Sequence, residues 1–281
     1  MKGRILTEKQ ISAFAAHLKN EEKSENTVKK YIRDVRAFAA YADVSDITKE
    51  MVVAYKNKLL TDNYAARSIN SMIASINGLF VFLGWADLKV KSIKLQRQSY
   101  CPEEKELTKA EYMRLVSTAK QKGNERLYLL IQTICGTGIR VSELQYITVE
   151  AVKYGEAVVS LKGKTRSVFI VRELQKKLLR YATDQKITTG AIFITRSGKP
   201  MSRTNIWREM KNLCEQAGVN QNKVFPHNLR HLFARTFYGI EKDIAKLADI
   251  LGHSSINTTR IYIITTGNEH RQRMENMRLI I

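Results

Sequence analysis

The sequence predicts a mainly α protein of two domains, an N-terminal helical bundle followed by a C-terminal mixed α+β domain with one small antiparallel sheet. Three observations predict it. Apolar residues recur at helical spacing in four successive segments of residues 1–88, with no strand-like alternation among them. Periodicity then lapses over 89–106, where Pro102 stops any helix from running through. Beyond residue 156 the period changes once, from that of a helix to that of a β-hairpin. A chain of 281 residues is long enough to bury two cores. The expected division is a helical domain at 1–88, a basic linker at 89–106 and a second domain at 107–281.

In the first domain Thr7 and Gln10 form a capping box ahead of Ile11, Phe14, Ala15 and Leu18, an amphipathic helix that ends near Asn20. A second helix sets Val28, Tyr31, Ile32, Val35, Phe38 and Ala39 on one face and Lys29, Lys30, Arg33 and Arg36 on the other. Thr48 caps a third carrying Val52, Tyr55 and Leu59. The fourth follows Ile69, Met72, Ile73, Ile76, Leu79 and Phe80, and its small residues, Ser68, Asn70, Ser71, Ala74 and Ser75, would let it approach a polymer backbone closely.

The second domain opens with a helix from Thr108 and a strongly apolar one through Leu127, Leu129, Leu130, Ile131 and Ile134. The turn at Gly136 and Gly138 delivers Arg140 to the next helix start, where free backbone N–H groups favour an anion, and Glu143 shares its face and can hold a neighbouring base. Residues 157–161 and 166–171 form a hairpin whose tip carries Lys162 and Lys164. A helix over 173–184, a short strand over 191–195, and a helix capped by Ser202 and closed by Gly218 follow.

The formal net charge is +20, contributed by both halves. A polyanion is the expected partner. Because the basic residues are spread through folded segments, nucleic acid is favoured over an anionic membrane. Lys29, Lys30 and Arg33, with Arg67, Lys91, Lys94 and Lys164, are the candidate DNA contacts, and the basic linker suits a clamp around a duplex. Cys101, Cys135 and Cys214 lack metal-ligand spacing, so neither a disulfide framework nor a zinc site is expected, and Cys135 is expected to be buried. No secretory h-region or membrane-length apolar run occurs; the expectation is a cytoplasmic protein with no membrane association.

Pro226 at a first helical turn brings His227, Arg230 and His231 together at i, i+3 and i+4. A break at Leu251, Gly252 and His253 then leads, through a cap at Ser254 or Ser255, into a helix carrying Thr259, Arg260 and Tyr262. Arginine forks, a lysine, histidines and one tyrosine are what phosphoryl transfer to a phenol needs. Guanidinium groups stabilise charge on non-bridging oxygens, and Arg140 and Arg230 fit that role. A phenol of ordinary pKa about 10 needs a base or cations to attack at neutral pH. His227 is the candidate base, His253 a further donor to the phosphate, and a hairpin-tip lysine the acid for the leaving 5′-oxygen. No metal and no cofactor is called for by these residues: carboxylate clusters and a Walker loop are both missing from the sequence.

The segments from Thr137 to Leu144, from His227 to His231 and from Leu251 to Tyr262 closely resemble the boxes of the tyrosine recombinase (phage integrase) family. The resemblance implies Arg140, Lys162, His227, Arg230, His253 and Tyr262 as the catalytic set, with Glu143 and His231 in support. It favours Lys162 over Lys164 as the hairpin lysine. It also implies a SAM-like core-binding domain at 1–88, double-stranded DNA with specific recombination sites as substrate, and a homotetrameric synapse in which the C-terminal helix docks on a neighbouring protomer. Met274, Met277 and Ile281 supply a stripe for that docking or for folding back on the same chain. The compact length is similar to Xer-type enzymes or short mobile-element integrases, with accessory proteins as further partners. Two other readings share the pattern: a non-catalytic DNA-binding accessory protein, and supercoil relaxation like that of type IB topoisomerases.

Overall fold

The structure is a computed structural model that describes residues 4–43, 45–95, 103–161, 164–263 and 267–278. The chain divides into two compact units, Met1–Arg97 and Gln98–Ile281.

The first unit contains helices α1 (Glu8–Asn20), α2 (Glu25–Ala42), α3 (Lys49–Thr61) and α4 (Ala66–Phe82). The capping box of Thr7 and Gln10 is formed, and Ser24 and Thr48 cap the next two helices. Phe14, Val35, Phe38, Ile69, Ile73, Ile76, Leu79 and Phe80 recur at helical spacing and are fully enclosed. Burying each contributes about 1.5–3 kcal/mol, which is why the pattern dictates the bundle.

Two expectations change here. The polar side of α4 is not a smooth face, because Ser75 is buried and donates to Asp34 Oδ2 at 3.0 Å. Asp34 is itself buried on α2 and neutralised by Lys30 at 3.1 Å and Arg33 at 2.8 Å. A buried carboxylate needs such partners, so Lys30 is engaged within the fold and Lys29 pairs with Glu25 at the surface. Arg67, Lys91 and Lys94 are exposed. The start of the expected linker is also fastened down. The Asn77 side chain donates to Val90 O and accepts from Val90 N, and Asn70 does the same for Ile93.

The second unit runs α5 (Lys109–Gln121), α6 (Glu125–Thr137), a short 3-10 helix Val141–Tyr146, α7 (Val149–Tyr154), β1 (Glu156–Leu161), β2 (Lys164–Phe169), α8 (Arg172–Asp184), α9 (Arg203–Cys214), α10 (Pro226–Glu241), α11 (Ile244–Leu251), α12 (Ile256–Arg260) and α13 (Gly267–Asn276). Helix α6 buries Leu127, Leu129, Leu130, Ile131 and Ile134 at the centre of the core. β1 and β2 pair antiparallel from Glu156 opposite Phe169 to Leu161 opposite Lys164. Lys164 therefore begins β2, while Lys162 and Gly163 lie outside the described residues.

The strand expected over 191–195 is not one. The segment makes only isolated bridges, Thr148 with Ala191 and Ile194 with Pro200, since no continuous neighbour offers a second ladder. Cys214, not Cys135, is the fully buried thiol, although Cys135 is enclosed enough for its pKa to be pushed up to about 12. Cys101 lies outside the described residues.

Candidate active site

Four short pieces of the second unit deliver the expected side chains to one place. Gly138 ends α6 with φ +64°, a conformation that costs an L side chain about 1 kcal/mol, and a Cβ there would meet the Phe233 ring at 2.5 Å. The chain turns, and Arg140 becomes the residue before the 3-10 helix. Its backbone N–H is not free for an anion as the sequence implied: it donates to Glu143 Oε2 at 2.9 Å. Glu143, buried, also accepts from Arg140 Nη1 at 2.8 Å on its other oxygen. The basic side chain it holds, as the i+3 spacing predicts, is that of Arg140 itself.

Pro226 opens α10 at its first turn, as expected, and α10 carries His227, Arg230 and His231 one turn apart. Arg230 is only 1% exposed. A buried guanidinium must be paired, and it donates from Nη1 to Gly138 O at 2.5 Å and from Nη2 to Leu251 O at 2.6 Å. Both acceptors lie at helix C-termini, where carbonyls lack intrahelical partners. Among the described residues its Nε has no hydrogen-bond partner, and burial lowers its pKa to about 10, with Arg140 adding to the shift.

Gly252 ends α11 with φ +64°, and its carbonyl accepts from Arg140 Nη2 at 3.3 Å. Beyond it, His253 Nε2 lies 3.0 Å from Arg230 Nη2 and Nδ1 lies 2.9 Å from Thr259 Oγ. A guanidinium can only donate, so Nε2 accepts and Nδ1 carries the proton toward the threonine. Ser255, not Ser254, caps α12, which stops at Arg260, so Tyr262 sits just after the helix with its N–H on Thr259 O at 2.9 Å.

Tyr262 is buried, 6% exposed, inside a ring of cationic and imidazole groups. His231 stacks on it with centroids 4.3 Å apart, His227 meets it edge-on at 5.3 Å, His253 lies at 5.1 Å and the Arg230 guanidinium carbon at 5.9 Å from the ring centre. Burial, then Arg230, pulls His253 down to about 4; burial, then His227, does the same to His231. His227 is lowered as well, first by desolvation and then by Arg230. All three imidazoles are neutral at pH 7, and neutral His227 is free to accept a proton. Neutral His253, by contrast, has its donor committed to Thr259, so it offers nothing to a phosphate until Arg230 or the proton inventory changes.

These shifts set a pH dependence. The folded pKa values of His231 and His253 lie below their ordinary 6.5, so the stability they confer is complete above that pH and is lost as pH falls toward about 4. Each contributes at most about 1.4 kcal/mol per pH unit, less the screening that partial exposure allows. Thermal melts of DNA-free protein will fall in this window, and His231→Gln, His253→Gln protein will show a flatter profile.

The structure thus brings together Arg140, Glu143, His227, Arg230, His231, His253 and Tyr262. Two participants were missed by sequence reasoning. Thr259, fully buried, fixes the His253 tautomer. Arg166 donates to Glu143 Oε2 at 2.6 Å and to Ile250 O at 3.1 Å. Its signal was available, because it shares the strand parity of buried Val168 and Ile170, a place where a lone charge demands a partner. Among the described residues no group of histidine, cysteine and carboxylate side chains could hold a metal ion.

The Phage integrase family model matches residues 105–269, and the model of the phage integrase N-terminal SAM-like domain matches 11–87. The chain is 28% identical to tyrosine recombinase XerA of Pyrococcus furiosus, covering 100% of this chain and 98% of that protein. It is 28% identical to tyrosine recombinase XerC of Pediococcus pentosaceus, covering 91% and 93%. Among solved structures it resembles XerA recombinase with a TM-score of 0.55 at 26% identity, covering 97% of this chain and 99% of that one. It shares its fold with a lambda integrase tetramer bound to a Holliday junction, with a TM-score of 0.75 at 16% identity over 93% of this chain and 78% of that one. With the catalytic-domain model spanning more than half of it, the chain belongs to the phage integrase family.

Proposed function

We propose that this protein is a site-specific DNA recombinase that cuts and rejoins DNA strands through a covalent 3′-phosphotyrosine on Tyr262. The observation that carries the reading is the enclosure of Tyr262 by His227, His231, His253 and the buried Arg230. In the cleavage step the Tyr262 oxygen attacks phosphorus, the bond to the 5′-oxygen breaks, and the phenolic proton passes to His227. The leaving oxygen takes a proton from an acid, the role that the family resemblance assigns to Lys162. The new ester conserves the bond energy, so rejoining is the same step in reverse with a different 5′-hydroxyl.

Arg140 and Arg230 stabilise the non-bridging oxygens, each lost donor costing about 10²–10³ in rate. The unpartnered Arg230 Nε is a donor awaiting such an oxygen. An oxygen that draws Arg230 off His253 frees Nε2 to take a proton from solvent, which the negative charge of the phosphate favours, and the imidazolium so formed is the second donor. His231 stacks on the phenol and orients it.

The exposed basic residues Arg67, Lys91 and Lys94, with Lys29, Arg33 and Lys164, are the proposed duplex contacts; Lys30 contributes to them through Asp34. The relatives named tyrosine recombinase XerA and XerC fit an Xer-like resolution role, with integration or excision of a mobile element as the other reading. For assembly we infer a tetrameric synapse joined through the C-terminal segment, on which Met274 and Met277 are exposed; Ile281 lies outside the described residues. Among the described residues no helix is long and apolar enough to cross a membrane, in keeping with action on DNA in the cytoplasm.

Sequencing the DNA captured covalently on the protein in cells tests the reading. One recurrent site that recombines with a second copy in vitro is the expected result. Relaxation of any plasmid irrespective of sequence would replace recombination with a topoisomerase activity.

A further inference from the structure

We propose that Arg166 is the positioning residue for Arg140, acting through Glu143 so that the Arg140 guanidinium stays aimed at the scissile phosphate within a cluster of net positive charge. The inference rests on the recombinase reading above. Arg166 lies on β2 opposite Val159, on the inward face of the hairpin, and its side chain is 12% exposed. Its guanidinium joins two other pieces of the site, reaching Glu143 Oε2 at 2.6 Å and Ile250 O, at the end of α11, at 3.1 Å.

Glu143 in turn fixes Arg140 twice, through Nη1 at 2.8 Å and the backbone N–H at 2.9 Å. The packing leaves no slack. A Cβ on Gly252 would collide with Arg166 Cδ, so the α11 end is shaped to let the arginine pass beneath it. The same glycine's carbonyl takes Arg140 Nη2.

Charge makes the arrangement functional as well as mechanical. Glu143 and Arg140 alone are a neutral pair, which attracts a phosphate weakly. With Arg166 the cluster carries one net positive charge, and Arg166, as the more buried partner, takes up the carboxylate while Arg140, 33% exposed, remains open to an anion.

The test uses a duplex recovered by covalent capture with wild-type protein, made in three forms: an ordinary phosphate, a neutral methylphosphonate, and a 5′-bridging phosphorothiolate at the scissile position. Single-turnover cleavage is measured for wild type, Arg166→Gln and Arg166→Lys, with thermal melts to confirm folding. Arg166→Gln is expected to lose about 10² on phosphate and on phosphorothiolate, yet less than about tenfold on the methylphosphonate, whose transition state carries less charge. Arg166→Lys, which keeps the charge and one bond to Glu143, is expected to recover most of the loss. Equal losses on all three substrates would reduce Arg166 to a structural part and overturn the proposal. Recovery on the phosphorothiolate alone would overturn it too, by assigning Arg166 to the leaving-group acid. A wild-type protein that cleaves none of the three would instead overturn the functional reading beneath it.

Discussion

Tyr262→Phe protein will bind its DNA site as wild type does and form no covalent adduct. The phenol is the sole atom source for the proposed ester, so strand cleavage should fall by roughly 10⁴–10⁶-fold, the scale on which removing the nucleophile of a cooperating set acts. The fold should hardly notice. Tyr262 packs by its ring, stacked on His231 and edge-on to His227, and phenylalanine keeps that ring. The lost hydroxyl should change stability by about 1 kcal/mol or less. Trapping on a nicked suicide duplex, alongside gel-shift titration and a thermal melt, separates the three quantities. Wild-type levels of adduct from Tyr262→Phe would remove Tyr262 from its role.

Arg230→Ala carries the second large effect, and there chemistry and stability fall together. Two buried carbonyls, Gly138 O and Leu251 O, would lose their donors, each at about 1–3 kcal/mol. Relief from burying a guanidinium offsets part of this, leaving a net loss of about 2–4 kcal/mol. Cleavage should drop by about 10³ or more, because the donor to the phosphate and the group that holds His253 both vanish. Arg230→Lys should restore part of the stability, since an ammonium can reach one carbonyl, but little of the rate, since it lacks the planar fork. If Arg230→Lys recovered full cleavage, the bidentate role would be lost.

What was legible in the chain follows from the range over which each signal acts. The caps at Thr7, Thr108 and Ser202 and the stripes through Val35, Ile73 and Leu130 are local, so their helices formed as expected. The residues at the centre of the site were legible too, because Arg140, Arg230, His253 and Tyr262 sit in short boxes of specific spacing. Partners that meet only in three dimensions were not. Asp34 and Ser75 read as parts of polar faces until α2 and α4 closed on them. Arg166 read as a strand residue because its carboxylate, Glu143, is supplied from before α7. The tautomer of His253 depends on Arg230 and Thr259 at once, a constraint no single box contains.

The account stands most directly on the identity of the linked residue. Wild-type protein trapped on a nicked duplex, digested with protease and nuclease and sequenced by mass spectrometry, should yield one peptide bearing a 3′-linked nucleotide phosphate on Tyr262. A nucleotide on any other side chain, or one joined through its 5′-phosphate, would contradict it.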